Sequence, residues 1–185
     1  SGERTEALLS STAAEMNGRP WGVGLLGFMG PKVLAPQFEA IARHRPQFAI
    51  VAGARIDQIQ TLECMGIRSF AHVSSASMLG HYLDEGVTRF VIEGRECGGH
   101  IGPLSSFVLW SAIIEALENH PAFQKSASNI QLVFAGGVHD DVSAAMVATL
   151  AETVAGRGVQ VGGLMGTAYL FTHEIVETGA ILPDY

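Results

Sequence analysis

Residues 91–102 read VIEGRECGGHIG. A short apolar stretch with strand character, Arg89–Glu93, runs straight into four glycines within nine residues, Gly94–Gly102, and a helical pattern follows at Ser106–Asn119. Glycines 98 and 99 lack a Cβ, so the backbone there can approach a flat or phosphorylated ligand. His100 stands alone among them, with no second histidine at metal-ligand spacing. Proton transfer or hydrogen bonding therefore suits it better than metal ligation, and no metal site is expected. The competing reading is a flexible turn with an exposed histidine; the position between a buried strand and a helix favours a binding loop. The run is not a dinucleotide fingerprint, which requires an opening Gly-x-Gly on the strand–helix turn.

Outward from this loop the same unit repeats. Strand-like runs occur at Trp21–Leu26, Phe48–Ala52, Arg68–Val73, Arg89–Glu93, Gln131–Ala135 and Val159–Leu164. Several are nearly continuous apolar runs (FAIVA, FVI, LVFA), as in strands covered on both faces. Helical spacing marks Val33–His44, Ile56–Met65, Ser75–Asp84, Ser106–Asn119 and Asp140–Val154, with a polar helix at Glu3–Met16 and a last one starting near His173. Alternating β and α segments predict an α/β fold with a parallel sheet. Six strands suit either a doubly wound sheet or a (β/α)₈ barrel lacking two strands, and spacing alone does not choose.

Composition narrows the function classes. The 185 residues are 48% hydrophobic and 16% charged, which fits a well-buried globular protein. A net charge of −7 argues against nucleic acid or an anionic membrane as partner. No apolar run approaches the ~20 residues that span a bilayer, and residues 1–17 read as a polar helix rather than a leader. Cys64 and Cys97 lie in unlike contexts, so a reducing, cytoplasmic setting is expected.

Two later turns share the character of the first. Ala135-Gly136-Gly137-Val138 follows the fifth strand and precedes Asp140, a good helix N-cap. Gly162-Gly163-Leu164-Met165-Gly166-Thr167 follows the sixth. Paired glycines at consecutive strand–helix turns suggest a phosphate held by backbone N–H groups and a helix N-terminus, the arrangement barrels often build after their last two strands. Tight helix–strand packing is the alternative use of such glycines. His139 reads as a solvated residue beside the helix start, His72 as a structural histidine, and Asp140-Asp141 as capping rather than a catalytic pair.

Taken together the three turns carry a resemblance. The run Val91–Gly102 resembles the EGxEAGGHxG motif of the nitronate monooxygenase (2-nitropropane dioxygenase) family, which includes FMN-dependent enoyl-acyl carrier protein reductases. Phe134–Val138 resembles its AAGGI phosphate turn, Leu164–Thr167 its QVGTRF turn, and Trp21–Gly24 its FGVN strand. The similarity runs over Trp21–Phe171. The wording of Leu164–Phe171, LMGTAYLF, is closest to members fused into polyketide or polyunsaturated fatty acid synthases.

The resemblance implies a (β/α)₈ barrel of TIM type, with strands three to eight present and the first two lacking. Residues 1–185 are then a single domain, a fragment of an FMN-binding barrel. It also implies FMN as cofactor, with the phosphate held at Gly136, Gly137, Gly166 and Thr167, and Gly98 and Gly99 against the ring or ribityl chain. His100 becomes the catalytic residue. NAD(P)H is the expected reductant, and the substrate is small or borne on an acyl carrier protein. Other synthase domains or a second copy of the chain are the expected partners. The synthase-like last turn makes an enoyl reductase domain the expected role, with nitronate monooxygenase or a non-catalytic synthase module as the alternatives. Two positions depart from the family pattern, Gly24 for its asparagine and Cys97 for its alanine.

Overall fold

The structure, a computed structural model, describes residues 2–179 and 181–182. By compactness the chain divides into two units, residues 1–72 and 73–185.

The first unit opens with α1 (Gly2–Met16) and then alternates β1 (Gly22–Leu26), α2 (Pro31–His44), β2 (Phe48–Ala52), α3 (Ile56–Cys64) and β3 (Arg68–Val73). The strands pair in parallel, Gly22 opposite Phe48 and Phe48 opposite Arg68. Apolar side chains bury on the sheet and the helix faces turned to it, including Leu25, Ile41, Val51, Leu62 and Ala71. Helix α2 has Pro31 in its first turn, where the missing N–H costs no hydrogen bond. Glu6 of α1 accepts from Arg43 Nη2 at 2.6 Å and lies 2.6 Å from His44 Nε2. The Arg43 guanidinium, with His44, holds the Glu6 carboxyl below its ordinary range.

Gln58 pins the loops of this unit. It is 4% exposed; its Nε2 donates to the Gly27 carbonyl at 2.8 Å and its Oε1 accepts from Arg55 N–H at 3.0 Å, capping α3. Gln58→Leu keeps most of the volume but strands a buried carbonyl and an N–H. We expect a loss of about 1–3 kcal/mol, read as a lower urea midpoint with an unchanged m-value.

The second unit continues the alternation with α4 (Ala76–Asp84), β4 (Arg89–Glu93), α5 (Ser106–Glu118), α6 (Pro121–Ser126), β5 (Gln131–Ala135), α7 (Asp141–Leu150), α8 (Glu152–Ala155), β6 (Gln160–Leu164) and α9 (His173–Glu177). Its strands are again parallel, Arg89 opposite Gln131 and Gln131 opposite Gln160. Helix α5 buries Ser106, Leu109, Trp110, Ile113, Ile114 and Leu117, the i, i+3, i+4, i+7 stripe of an amphipathic helix. Trp110 meets Phe134 of β5 edge-on, ring centroids 5.7 Å apart at 78°, a contact worth about 0.5–1.5 kcal/mol beyond the area it buries.

Among the described residues six strands run parallel to their neighbours within the two units, two fewer than in a closed (β/α)₈ barrel. The helix expected over Asp140–Val154 is divided at Ala151, whose ψ of 4° leaves the helical range. Val147, Ala151 and Val154 are nonetheless buried at helical spacing, so the sequence period survives the break. Helix α6 and the 3₁₀ turn Thr167–Phe171 were not expected; five or six residues are too few to show a period. Among the described residues no helix is long and apolar enough to cross a membrane.

Candidate functional site

The second unit holds a cleft of about 780 Å³ at the C-terminal ends of its three strands. The β4 turn contributes Glu93, Glu96, Cys97 and Gly98; the β5 turn Ala135, Gly136, Gly137, Val138 and His139; the β6 turn Leu164 and Gly166–Phe171 apart from Tyr169. Parallel strands carry their successive turns to the same sheet edge, which is why three segments distant in sequence meet here.

The β4 loop is fixed at both ends and bare in the middle. A Cβ on Gly94 would lie 2.2 Å from Ser106 Cα, and one on Gly102 would lie 2.8 Å from the Ser74 carbonyl. Arg95 N–H donates to the Leu104 carbonyl at 2.9 Å, closing the neck of the loop. Between these anchors Gly98, Gly99 and His100 are exposed, with Gly99 at φ +85°.

Glu96 ties this loop to the start of α5. Its Oε2 accepts from Ser106 N–H at 2.7 Å and also from the Ser106 hydroxyl. Ser106 is 4% exposed and wedged between two turns, since a Cβ on Gly136 would also strike its hydroxyl oxygen. The Ser106 hydroxyl hydrogen bond holds the Glu96 carboxyl below its usual range, as suits an anion at a helix N-terminus. Beside it the half-buried Cys97 thiol is pushed up to about 11, first by burial and then by Glu93 and Glu96. Cys97 is therefore a protonated, weakly nucleophilic thiol at neutral pH.

The β5 turn leads into α7. Asp140 caps that helix, accepting from Ser143 N–H at 2.8 Å, while Ser143 Oγ accepts from Asp140 N–H at 3.0 Å. The Asp140 carboxyl lies below its ordinary value, chiefly through the Ser143 hydroxyl. The expected capping role of Asp140 is thus what the structure shows. Gly136 and Gly137 both have positive φ, +113° and +83°, a backbone that L side chains rarely adopt.

A flat, phosphorylated ligand needs bare backbone facing open space. A Cβ at Gly98, Gly137 or Gly166 would meet nothing within 4 Å, and all three line the cleft. The residues present therefore fit such a group. The cleft brings together Gly98, Gly136, Gly137, Gly166 and Thr167, five of the positions singled out in the sequence. Gly99 and His100, singled out with them, stand on the exposed loop and not among the lining residues. Sequence reasoning missed Glu96 and Ser106; His139 is exposed beside the α7 start, as the sequence reading had it, and also lines the cleft. A carboxylate ten residues before a helix start has no periodic signature.

Similarity to known proteins bears on the fold. A family model described as nitronate monooxygenase matches residues 28–180. The solved structure of FabK from Thermotoga maritima is similar over 94% of this chain and 49% of its own, with 20% identity and a TM-score of 0.71. A nitroalkane oxidase structure from Streptomyces ansochromogenes is similar over 91% of this chain and 56% of its own, with 16% identity and a TM-score of 0.65. Among curated proteins, a 5-hydroxy-7a-methyl-1-oxo-octahydro-1H-indene-4-carboxyl-CoA dehydrogenase of Rhodococcus jostii is 25% identical over 127 residues, 69% of this chain and 31% of that protein. The chain thus spans about half the length of these solved structures and less than a third of the curated relative. The likeness shows a fold of TIM-barrel type with fewer strands than the full barrel. With the family model covering most of its length, the chain belongs to the nitronate monooxygenase family, a family of FMN-dependent oxidoreductases.

Proposed function

We propose that the chain binds FMN in this cleft and serves as the enoyl reductase domain of a polyketide or fatty acid synthase, reducing an enoyl thioester at the expense of NAD(P)H. The observation that carries the flavin reading is the convergence of three glycine turns, each with bare backbone, on one cleft. The synthase assignment rests on the resemblance of Leu164–Phe171 to synthase-borne members. FMN, when bound, supplies hydride transfer.

The protein's part is orientation and exclusion of water. Backbone N–H groups at Gly136, Gly137, Gly166 and Thr167 take the phosphate, helped by the N-terminus of α7. Gly98 and Gly99 let the loop lie against the ring. His100, carried on the exposed span of the loop, would donate a proton or a hydrogen bond to the thioester. The substrate is carried on an acyl carrier protein or is a small thioester, and neighbouring synthase domains or a second copy of the chain are the partners.

The matching family model favours a second reading, oxidation of alkyl nitronates with oxygen, in which His100 is the base. Assays run with and without oxygen separate the two. NADPH consumption that depends on an enoyl thioester supports the reductase; turnover of alkyl nitronates that requires oxygen, with no enoyl reduction, overturns it. His100→Ala is expected to lower turnover by about 10²–10⁴-fold while FMN affinity stays unchanged. Loss of flavin instead would make His100 a structural residue.

A further inference from the structure

Ser106 is the first residue of α5 and is 4% exposed. It is not among the residues that line the cleft. Three segments nevertheless meet on it. Its N–H donates to Glu96 Oε2 at 2.7 Å, and its hydroxyl donates to the same oxygen. A Cβ on Gly94 would overlap its Cα and hydroxyl oxygen, and a Cβ on Gly136 would overlap that oxygen too. The β4 turn, the loop beyond it and the β5 turn therefore all close on one buried side chain.

The start of α5 shows what this contact replaces. Ser105 stands at the N-cap, but its side chain makes no capping hydrogen bond. Glu96 serves the helix start instead, from the loop. A local cap would leave the loop independent of the helix, whereas a loop carboxylate fixes the two to each other. Around this tie Arg95 N–H donates to the Leu104 carbonyl at 2.9 Å and Cys97 N–H to the Gly94 carbonyl at 3.1 Å. The exposed Gly98, Gly99 and His100 follow directly. On the other side Gly136, at φ +113°, brings bare backbone up to the Ser106 hydroxyl, where a side chain would not fit.

We propose that Ser106 is a positioning residue for this site: it joins the β4 loop to the β5 turn, so that the two walls of the cleft keep one spacing. The inference deepens the FMN reading and rests on it for what the spacing serves. Without the Ser106 hydroxyl, Glu96 keeps only the N–H as donor, and Gly136 loses the oxygen it rests against. Both walls gain room in the same step.

Backbone amide exchange, read residue by residue, tests the joint without any flavin. Arg95 and Cys97 report the loop; His139, whose N–H donates to Ser143 Oγ at 3.0 Å, reports the far end of the β5 turn. Val87 and Val159 are the controls, with N–H groups bonded to the Tyr82 and Val154 carbonyls at 2.9 and 3.2 Å. In Ser106→Ala, exchange should quicken about tenfold at Arg95, Cys97 and His139 together and stay unchanged at the controls. Glu96→Ala should act in the same way, and Glu96→Gln, which keeps an acceptor for Ser106, should largely restore slow exchange. FMN, titrated by flavin fluorescence, should bind about tenfold more weakly to Ser106→Ala, although this side chain lies outside the cleft lining.

Quicker exchange at Arg95 and Cys97 with His139 unmoved would make Ser106 a fixture of the loop alone and overturn the inference. Equal quickening at Val87 and Val159, the mark of global loosening, would overturn it too, as would an FMN affinity indifferent to Ser106→Ala. If no form of the chain binds FMN, the flavin reading fails, and the exchange pattern still decides whether Ser106 joins the two turns.

Discussion

Gly94→Ala is expected to destabilise the protein by about 3 kcal/mol or more and to abolish flavin binding. The new Cβ would stand 2.2 Å from Ser106 Cα and 2.6 Å from Ser106 N. Both are backbone atoms at the start of α5, so no rotamer change relieves the contact. Either the helix end or the turn after β4 must move. Ser106 also abuts Gly136, whose Cβ would strike the same hydroxyl, so a shift of α5 disturbs the β5 turn too. Glu96, Cys97 and Gly98 follow Gly94 within four residues, so the wall of the cleft that they form moves with it. Chemical denaturation measures the first effect and flavin fluorescence the second. Gly98→Ala is the control: its Cβ meets nothing within 4 Å, and stability should change little.

Glu96→Ala should cost about 1–3 kcal/mol and loosen the loop that carries His100. The substitution leaves the N–H and hydroxyl of the buried Ser106 without their acceptor. Its pH signature is specific. The Glu96 carboxyl titrates lower in the folded protein than in the unfolded chain. Its contribution is therefore fully present above the unfolded value, about 4.5, and fades as pH falls through the lower folded value. Unfolding free energies of the two proteins should differ at pH 7 and converge on the acid side. A difference independent of pH would mean the carboxylate charge is irrelevant. Glu96→Gln, which keeps an acceptor for Ser106 without the charge, should fall between them.

The strands were legible because each apolar run ends in turn-forming residues. Phe48–Ala52, Arg68–Val73, Arg89–Glu93 and Gln131–Ala135 fall where the sequence reading placed them, while β1 and β6 each start one residue later than expected. The meeting of the glycine turns at one cleft was legible for a related reason: turns that follow successive parallel strands fall at the same sheet edge. The Glu96–Ser106 link was not, because it joins a loop carboxylate to a helix start that sequence spacing does not bring together. The pairing exists only once β4, its loop and α5 are folded. His139 was visible as a residue beside the turn, but the two oxygens that hold its ring are a property of the capped α7 start. Neither Thr167–Phe171 as a 3₁₀ turn nor the place of the largely exposed Phe171 in the cleft wall was legible, because five residues are too few to show a period.

That three glycine turns form one flavin site is tested most directly by titrating the purified chain with FMN while following flavin fluorescence and the melting temperature. Saturable one-to-one binding with altered flavin fluorescence is the predicted result, with a melting temperature that rises as FMN accumulates; at about a hundredfold excess over Kd the gain is about 2.7 kcal/mol. An unaltered flavin signal and a melting temperature indifferent to FMN would contradict the account.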